Sequence, residues 1–163
     1  MSFLDTTPSN ISVSSGKVLQ VKQLVVAKGT ITTSSATFTS IGHSLAITPS
    51  ATSSRILIQV CGGAGHAPYI NQFCISTIYR GSTNLSTNGI ETIGNSTAGL
   101  SAATHNIVFL DSPNTTSAVT YSLYAATSAG TFVAHRTWNS ALVTNEPIMR
   151  IIAMEIEAGT SWS

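Results

Sequence analysis

The chain has 163 residues, a formal net charge of +1 at pH 7 and a mean hydropathy of +0.27, and only 8% of its residues are charged. This composition excludes a disordered polyelectrolyte, the scattered basic residues argue against nucleic-acid binding, and the apolar runs are far shorter than the about 20 residues of a membrane-spanning helix. Serine and threonine, 47 residues by count, occupy positions where most soluble proteins carry charge, which predicts strands whose outer faces contact other subunits or a large assembly.

Residues 1–16 follow neither a helical nor a strand period, and we expect them to form an extended N-terminal arm ahead of a single domain at residues 17–163. The arm has isolated apolar residues that would dock on a neighbouring molecule: Phe3, Leu4, Ile11 and Val13. A frayed terminus is the alternative interpretation. The first residues lack the basic and apolar regions of a secretory signal, so synthesis in a cytoplasm is the simplest interpretation.

From residue 17 onward the sequence consists of short runs with the alternation of β-strands. The clearest runs lie at residues 18–26, 43–48, 55–61, 72–79, 104–110, 118–125, 132–138 and 148–157. No window of ten or more residues has the pattern and caps of an amphipathic helix. Short strands at regular spacing without helices between them predict an all-β fold, an antiparallel β-sandwich of the jelly-roll-like type.

Three connections receive specific predictions. The glycine-rich residues 62–65 are expected to form a loop that ends a central strand. Residues 84–103 are expected to be mostly loop, with a short edge strand near residues 89–93. The runs at 104–110 and 118–125 are predicted to pair as a hairpin about a turn that Asp111 caps.

No catalytic residue, cofactor or metal site is predicted, and the chain is not expected to be an enzyme. Glu155 and Glu157 share one face of the last strand, where a solvated rim or a subunit contact is a better interpretation than an acid/base pair. The histidines lack metal-ligand spacing, and three copies of His66 meeting on an oligomer axis are the alternative. Cys61 and Cys74 are expected to be buried free thiols, with a disulfide between them as the alternative.

Several short sequence segments occur in this order between residues 16 and 158: GKVLQV at 16–21, ITPSATSSRILI at 47–58, YRGST at 79–83, LDSPNTT at 110–116 followed by VTY at 119–121, and MEIEA at 154–158. Together they resemble the small β-sandwich virion proteins of tailed bacteriophages, particularly phages of aquatic bacteria. Such proteins are head decorations or the tips of tail fibres. The resemblance implies an all-β module, usually trimeric, without enzymatic activity or a cofactor.

The resemblance leaves two functions open. The first is a homotrimeric decoration, or cement, protein that assembles in the host cytoplasm, binds the major capsid protein on the outer surface of the virion and stabilises the head. The chain begins at its own Met1 without a stalk ahead of the sandwich, which favours this interpretation. The alternative is a fibre or spike tip that recognises a host glycan through the loops at residues 62–69 and 84–103. Neither function involves nucleic acid or a membrane.

Overall fold

The computed structural model describes residues 17–26, 31–67, 70–95, 101–135 and 148–158. The expected arm at residues 1–16, with Phe3, Leu4, Ile11 and Val13, lies outside these residues. The described residues form the strands β1 (Val18–Val26), β2 (Ile31–Thr33), β3 (Thr39–Ile47), β4 (Arg55–Ala67), β5 (Gln72–Arg80), β6 (Thr83–Asn84), β7 (Glu91–Asn95), β8 (Ser101–Asp111), β9 (Val119–Thr127), β10 (Phe132–His135) and β11 (Met149–Ile156). They include no helix, and so none long and apolar enough to cross a membrane.

The strands form two antiparallel sheets that face each other. In the first sheet β4 is central, with β11 and then β1 on one side and β8 on the other, and β10 with β2 joins the far end of β4. In the second sheet the order is β3-β9-β5, and β6 and β7 both pair with the remaining side of β5.

The order of the eight main strands is that of a jelly roll. The strands β1-β11-β4-β8 lie opposite β3-β9-β5-β7, and along the chain each strand crosses to the other sheet except at the step from β5 to β7. Two interlocked Greek keys of this kind define the jelly roll. The predicted fold class, an all-β antiparallel sandwich with jelly-roll-like connections, is therefore confirmed.

The core lies between the sheets and takes every second residue of the central strands. On β4, Ile56, Ile58 and Val60 are fully buried, and on β9 the buried positions include Tyr121 and Leu123. This is the alternation that a half-buried strand requires. Burial of each large apolar side chain contributes about 1.5–3 kcal/mol relative to exposure. The alternation of residues 118–125 thus indicated correctly which residues of β9 share the buried face, whereas residues 55–61, nearly all apolar as in a strand covered on both faces, have one outward face in the described residues.

The predicted hairpin of residues 104–110 and 118–125 is wrong. β8 pairs with β4 in the first sheet, whereas β9 pairs with β3 and β5 in the second. The connecting residues 112–118 form a loop longer than the two to five residues of common hairpins, and it spans the about 10 Å between packed sheets. As a result Ile107 of β8 and Leu123 of β9 enter the core from opposite sheets.

The glycine-rich residues 62–65 do not end the strand as predicted. β4 continues to Ala67, and its register against β8 shifts between Gly62 and Gly65, which marks a bulge. Gly62 and Gly63 have φ angles of 81° and 64°, in the left-handed region that glycine adopts without a steric penalty. The one extra residue of β4 is therefore accommodated within the strand. The short edge strand expected near residues 89–93 is present as β7.

Gly62 and Gly42 provide a matched test of the bulge. Both have a φ near +80°, but a Cβ at position 62 would collide with the carbonyl oxygen of Ile148, whereas a Cβ at position 42 meets open space. We expect Gly42→Ala to lower the free energy of unfolding by about 1–2 kcal/mol through backbone strain alone. Gly62→Ala should lower it by about 3 kcal/mol or more, because overpacking adds to the strain. Equal losses in urea denaturation would contradict this account of the bulge.

Candidate functional site

The outward face of the first sheet consists mainly of apolar side chains. Strand pairing arranges them in rows that cross the sheet, and we call the outward residues of β1, β11, β4 and β8 the apolar face. One central row is Val21, Met154, Leu57 and Leu110, and the next outward row is Gln23, Ile152, Gln59 and Val108. Val21, Val108 and Leu110 expose 57%, 53% and 41% of their surface.

This face is apolar because β11 and β4 are apolar on both sides. The inward residues of β11 include Met149, Ile151 and Ala153, all buried, while Ile152 and Met154 point outward. Four strands spaced about 4.8 Å apart and seven residues long cover roughly 400 Å². The largest apolar patch of a soluble monomer has about this size and is often functional. The apolar face is therefore the candidate functional site.

The charged side chains of the apolar face are arginines at its two ends. Arg55 shares an outward row with Val18 and Ile156, and Arg150 shares one with Val25 and Cys61. Six positions along β4 separate the two rows, a distance of about 20 Å. The two acidic residues of these four strands, Asp111 and Glu155, both point inward and are buried. A partner for this face would therefore need apolar groups, and negative charge beside Arg150 would favour its binding.

The two cysteines are free thiols, as expected, but only one is buried. Cys74 lies inside the second sheet on β5, and burial raises the pKa of its thiol although a hydrogen bond with Thr127 lowers it. Cys61 is exposed on the apolar face, so the expectation that it is buried is wrong. Its outward position follows from the register of β4. A thiol reagent can therefore report whether this face is covered.

Asp111 joins the two sheets at one end of the sandwich. Its carboxylate accepts two hydrogen bonds from Nη1 of Arg80, at 2.8 and 2.9 Å, and one from the hydroxyl of Tyr121, at 2.6 Å. Burial and the hydrogen bond to Asp111 raise the pKa of Tyr121 strongly. Asp111 belongs to the first sheet and both donors to the second, a role beyond the turn capping expected from the sequence. The one feature of the sequence that could have indicated the pairing of Arg80 with Asp111 is the small number of charged residues between positions 29 and 145.

Glu155 is fully buried at the same end of the sandwich. Its carboxylate accepts hydrogen bonds of 2.6 Å from the backbone N–H and the hydroxyl of Ser50 and from Nε2 of Gln20. Burial raises the pKa of Glu155, but these hydrogen bonds outweigh it and lower the pKa to about 2. The predicted solvated rim is therefore wrong for Glu155, whereas Glu157 is exposed. Both buried carboxylates serve as structural acceptors.

The outward face of the second sheet carries aromatic groups. Tyr79 and Tyr124 stack with ring centroids 3.8 Å apart. Farther along, a pocket of about 190 Å³ is lined by Ala36, Phe73, Ile75, Ala126, Thr127 and Ser128. The segments proposed as loops for glycan contact consist partly of strands, because residues 62–67 belong to β4 and residues 91–95 form β7.

In the described part of the chain, no three histidine, cysteine or acidic residues are grouped so that they could bind a metal ion. His66 is paired with Ala102 and Val133 along the backbone of β4, and its side chain lies outside the described residues. The predicted contact residues Phe3, Leu4, Ile11 and Val13 are likewise outside them. The site seen in the structure is thus one that the sequence reasoning did not name.

Comparison with models of known protein families gives no match, and comparison with curated proteins gives none either. The resemblance to phage virion proteins therefore rests on the sequence segments alone. The features of this chain that bear on function are the apolar face and the buried polar groups.

The buried Glu155 predicts a specific dependence of stability on acid. Because its pKa in the folded chain is about 2 and a free glutamate titrates near 4.5, the ionised carboxylate stabilises the fold above pH 4.5, and this contribution is lost as the pH falls to 2. The shift corresponds to about 3 kcal/mol. Between pH 5 and pH 2, the unfolding free energy of the natural chain should fall by about this amount more than that of Glu155→Gln.

Glu157→Gln is the control for this experiment, since Glu157 is exposed and its change should leave the pH dependence as it is in the natural chain. Parallel curves for the natural chain and Glu155→Gln, measured by urea denaturation across this range, would show that the hydrogen bonds to Glu155 do not hold its charge.

Proposed function

We propose that the chain is a structural protein of a bacteriophage virion, a homotrimer that binds the outer surface of the capsid as a decoration protein. The observation that carries this proposal is the apolar face, which needs a protein partner to remove Val21, Val108 and Leu110 from water. The phage setting comes from the order of the sequence segments. The proposed location is the virion surface, and the proposed capsid partner is the major capsid protein.

The two buried carboxylates support a role without catalysis. A general acid or base must reach a substrate, but Glu155 is fully buried and saturated by Ser50 and Gln20. Asp111 is likewise held by Arg80 and Tyr121. These groups stabilise the scaffold that presents the apolar face.

The charges of the apolar face favour a ring over a symmetric dimer. In a two-fold dimer the same surface meets itself. If two copies stacked these faces about a two-fold axis parallel to the strands, the Arg150 row of one copy would oppose the Arg150 row of the other. Like charges in contact oppose association. A cyclic trimer, in which this face meets a different surface of the next copy, avoids the conflict.

Decoration would stabilise the head by mass action. A protein that binds the assembled shell but not its separated subunits adds its binding free energy to the stability of the shell. The hydroxyl-rich surface suits this role, because serine and threonine can form contacts without the like-charge repulsion that lysine or glutamate would cause.

A second candidate function is glycan recognition at a fibre or spike tip. The observation that favours it is the outward face of the second sheet, where Tyr79 stacks on Tyr124 and a pocket opens beside Phe73. Aromatic rings and adjacent hydroxyls can bind a sugar. The number of copies per purified virion separates the two functions. We expect a decoration protein to be present many times per shell, whereas a few copies per tail would contradict decoration and favour the tip.

Self-association through the apolar face is tested by a single lysine. Val108→Lys places a charge in the centre of the face, where burial against a partner would leave it unpaired, and we expect the trimer to dissociate at an at least tenfold higher concentration. Thr120→Lys is the matched control, because Thr120 is exposed on β9 in the other sheet. Light scattering during size-exclusion chromatography measures the mass. A natural chain that is monomeric, or equal effects of both variants, would contradict the proposal.

A further inference from the structure

The apolar face makes two demands on whatever covers it. Its area of roughly 400 Å² is about half of what each partner buries in a stable interface of standard size, so a flat contact at this face alone is small. The exposed Arg150 at one end of the face favours negative charge in the partner. A segment that brings both apolar groups and a carboxylate, and that joins two copies physically, meets these demands.

The first residues of the chain have this composition. Residues 2–13 contain the apolar side chains Phe3, Leu4, Ile11 and Val13, and Asp5 is their one charged side chain. The segment precedes β1, the edge strand of the same sheet, and Val18 shares a row with Arg55. Residues 14–16 have the sequence Ser-Ser-Gly, and glycine can adopt backbone angles of either sign.

The length of the segment matches the face. From Val13 to Asp5 an extended chain spans about 26 Å, and the rows of Arg55 and Arg150 lie about 20 Å apart. If Val13 lies near the Arg55 row, Asp5 reaches the Arg150 row. Ile11 then covers the central rows, while Phe3 and Leu4 lie near Cys61.

We propose that residues 2–13 of one copy lie on the apolar face of a neighbouring copy, with Asp5 paired to Arg150, Ile11 and Val13 covering the rows toward Arg55, and Phe3 and Leu4 covering the end of the face beside Cys61. This inference rests on the proposed self-association, because exchange of a segment requires a neighbour. Exchange of an identical element is a general route to closed oligomers. In this arrangement each copy is joined to the next, and the arginine rows of two copies do not face each other.

A charge swap tests the pairing. Asp5→Arg and Arg150→Glu should each raise the concentration at which the oligomer dissociates, by about fivefold, since attraction becomes repulsion. The double variant Asp5→Arg/Arg150→Glu should return it close to that of the natural chain. The control is Lys22→Glu, a charge reversal at the exposed edge of the same sheet, which Asp5→Arg should not rescue. Analytical ultracentrifugation measures dissociation. Unchanged single variants, an unrescued double variant, or equal rescue of Lys22→Glu would overturn the pairing.

The reaction of Cys61 with Ellman's reagent tests coverage separately. Deletion of residues 2–13 should make Cys61 react several-fold faster, while the buried Cys74 remains slow in both proteins and reports that the fold is intact. An oligomer whose Cys61 reacts equally with and without the segment would overturn the inference and leave the proposed self-association standing. A monomer would overturn that self-association and, with it, the exchange. Protection of Cys61 in a monomer would place the segment on its own face.

Discussion

The register of the first sheet depends on two buried carboxylates that lie in one row. Gln20, Glu155, Ile56 and Asp111 are paired across β1, β11, β4 and β8. Glu155 is hydrogen-bonded to the loop before β4, and Asp111 to the second sheet. A slip by one residue would turn both carboxylates outward and away from their donors. Because β4 and β11 are apolar on both sides, hydrophobic pattern alone could not prevent this slip.

Fixing the register also fixes which apolar residues remain outside. With Glu155 inward, Ile152 and Met154 must point outward beside Leu57 and Leu110. The surface that we propose for self-association is thus a direct result of the polar contacts at one end of the sandwich. The contacts that stabilise the fold and the surface that would bind a partner share the same pairing pattern.

The sequence predicted the strands and the fold class because alternation is a local property. The sequence does not show which face of β11 is buried, because the adjacent residues Ile151 and Ile152 point to opposite faces and both are apolar. The pairing of Arg80 with Asp111 was also missed, because nothing local relates two residues in opposite sheets. The hairpin error has the same origin, as β8 and β9 are neighbours along the chain but not in a sheet. The glycines at 62–65 suggested a break, whereas the positive φ angles allow a bulge.

At the bulge in β4 the strand that pairs with one side of β4 changes, while β8 pairs with the other side both before and after the bulge. Before Gly62 the neighbour of β4 is β11, and beyond the bulge it is β10, which in turn pairs with β2. The part of the sheet beyond the bulge contains neither of the carboxylates that hold the register. Natural variation and inserted peptides should therefore be tolerated best at that end, where related chains could differ while keeping the same outward rows of β1, β11, β4 and β8.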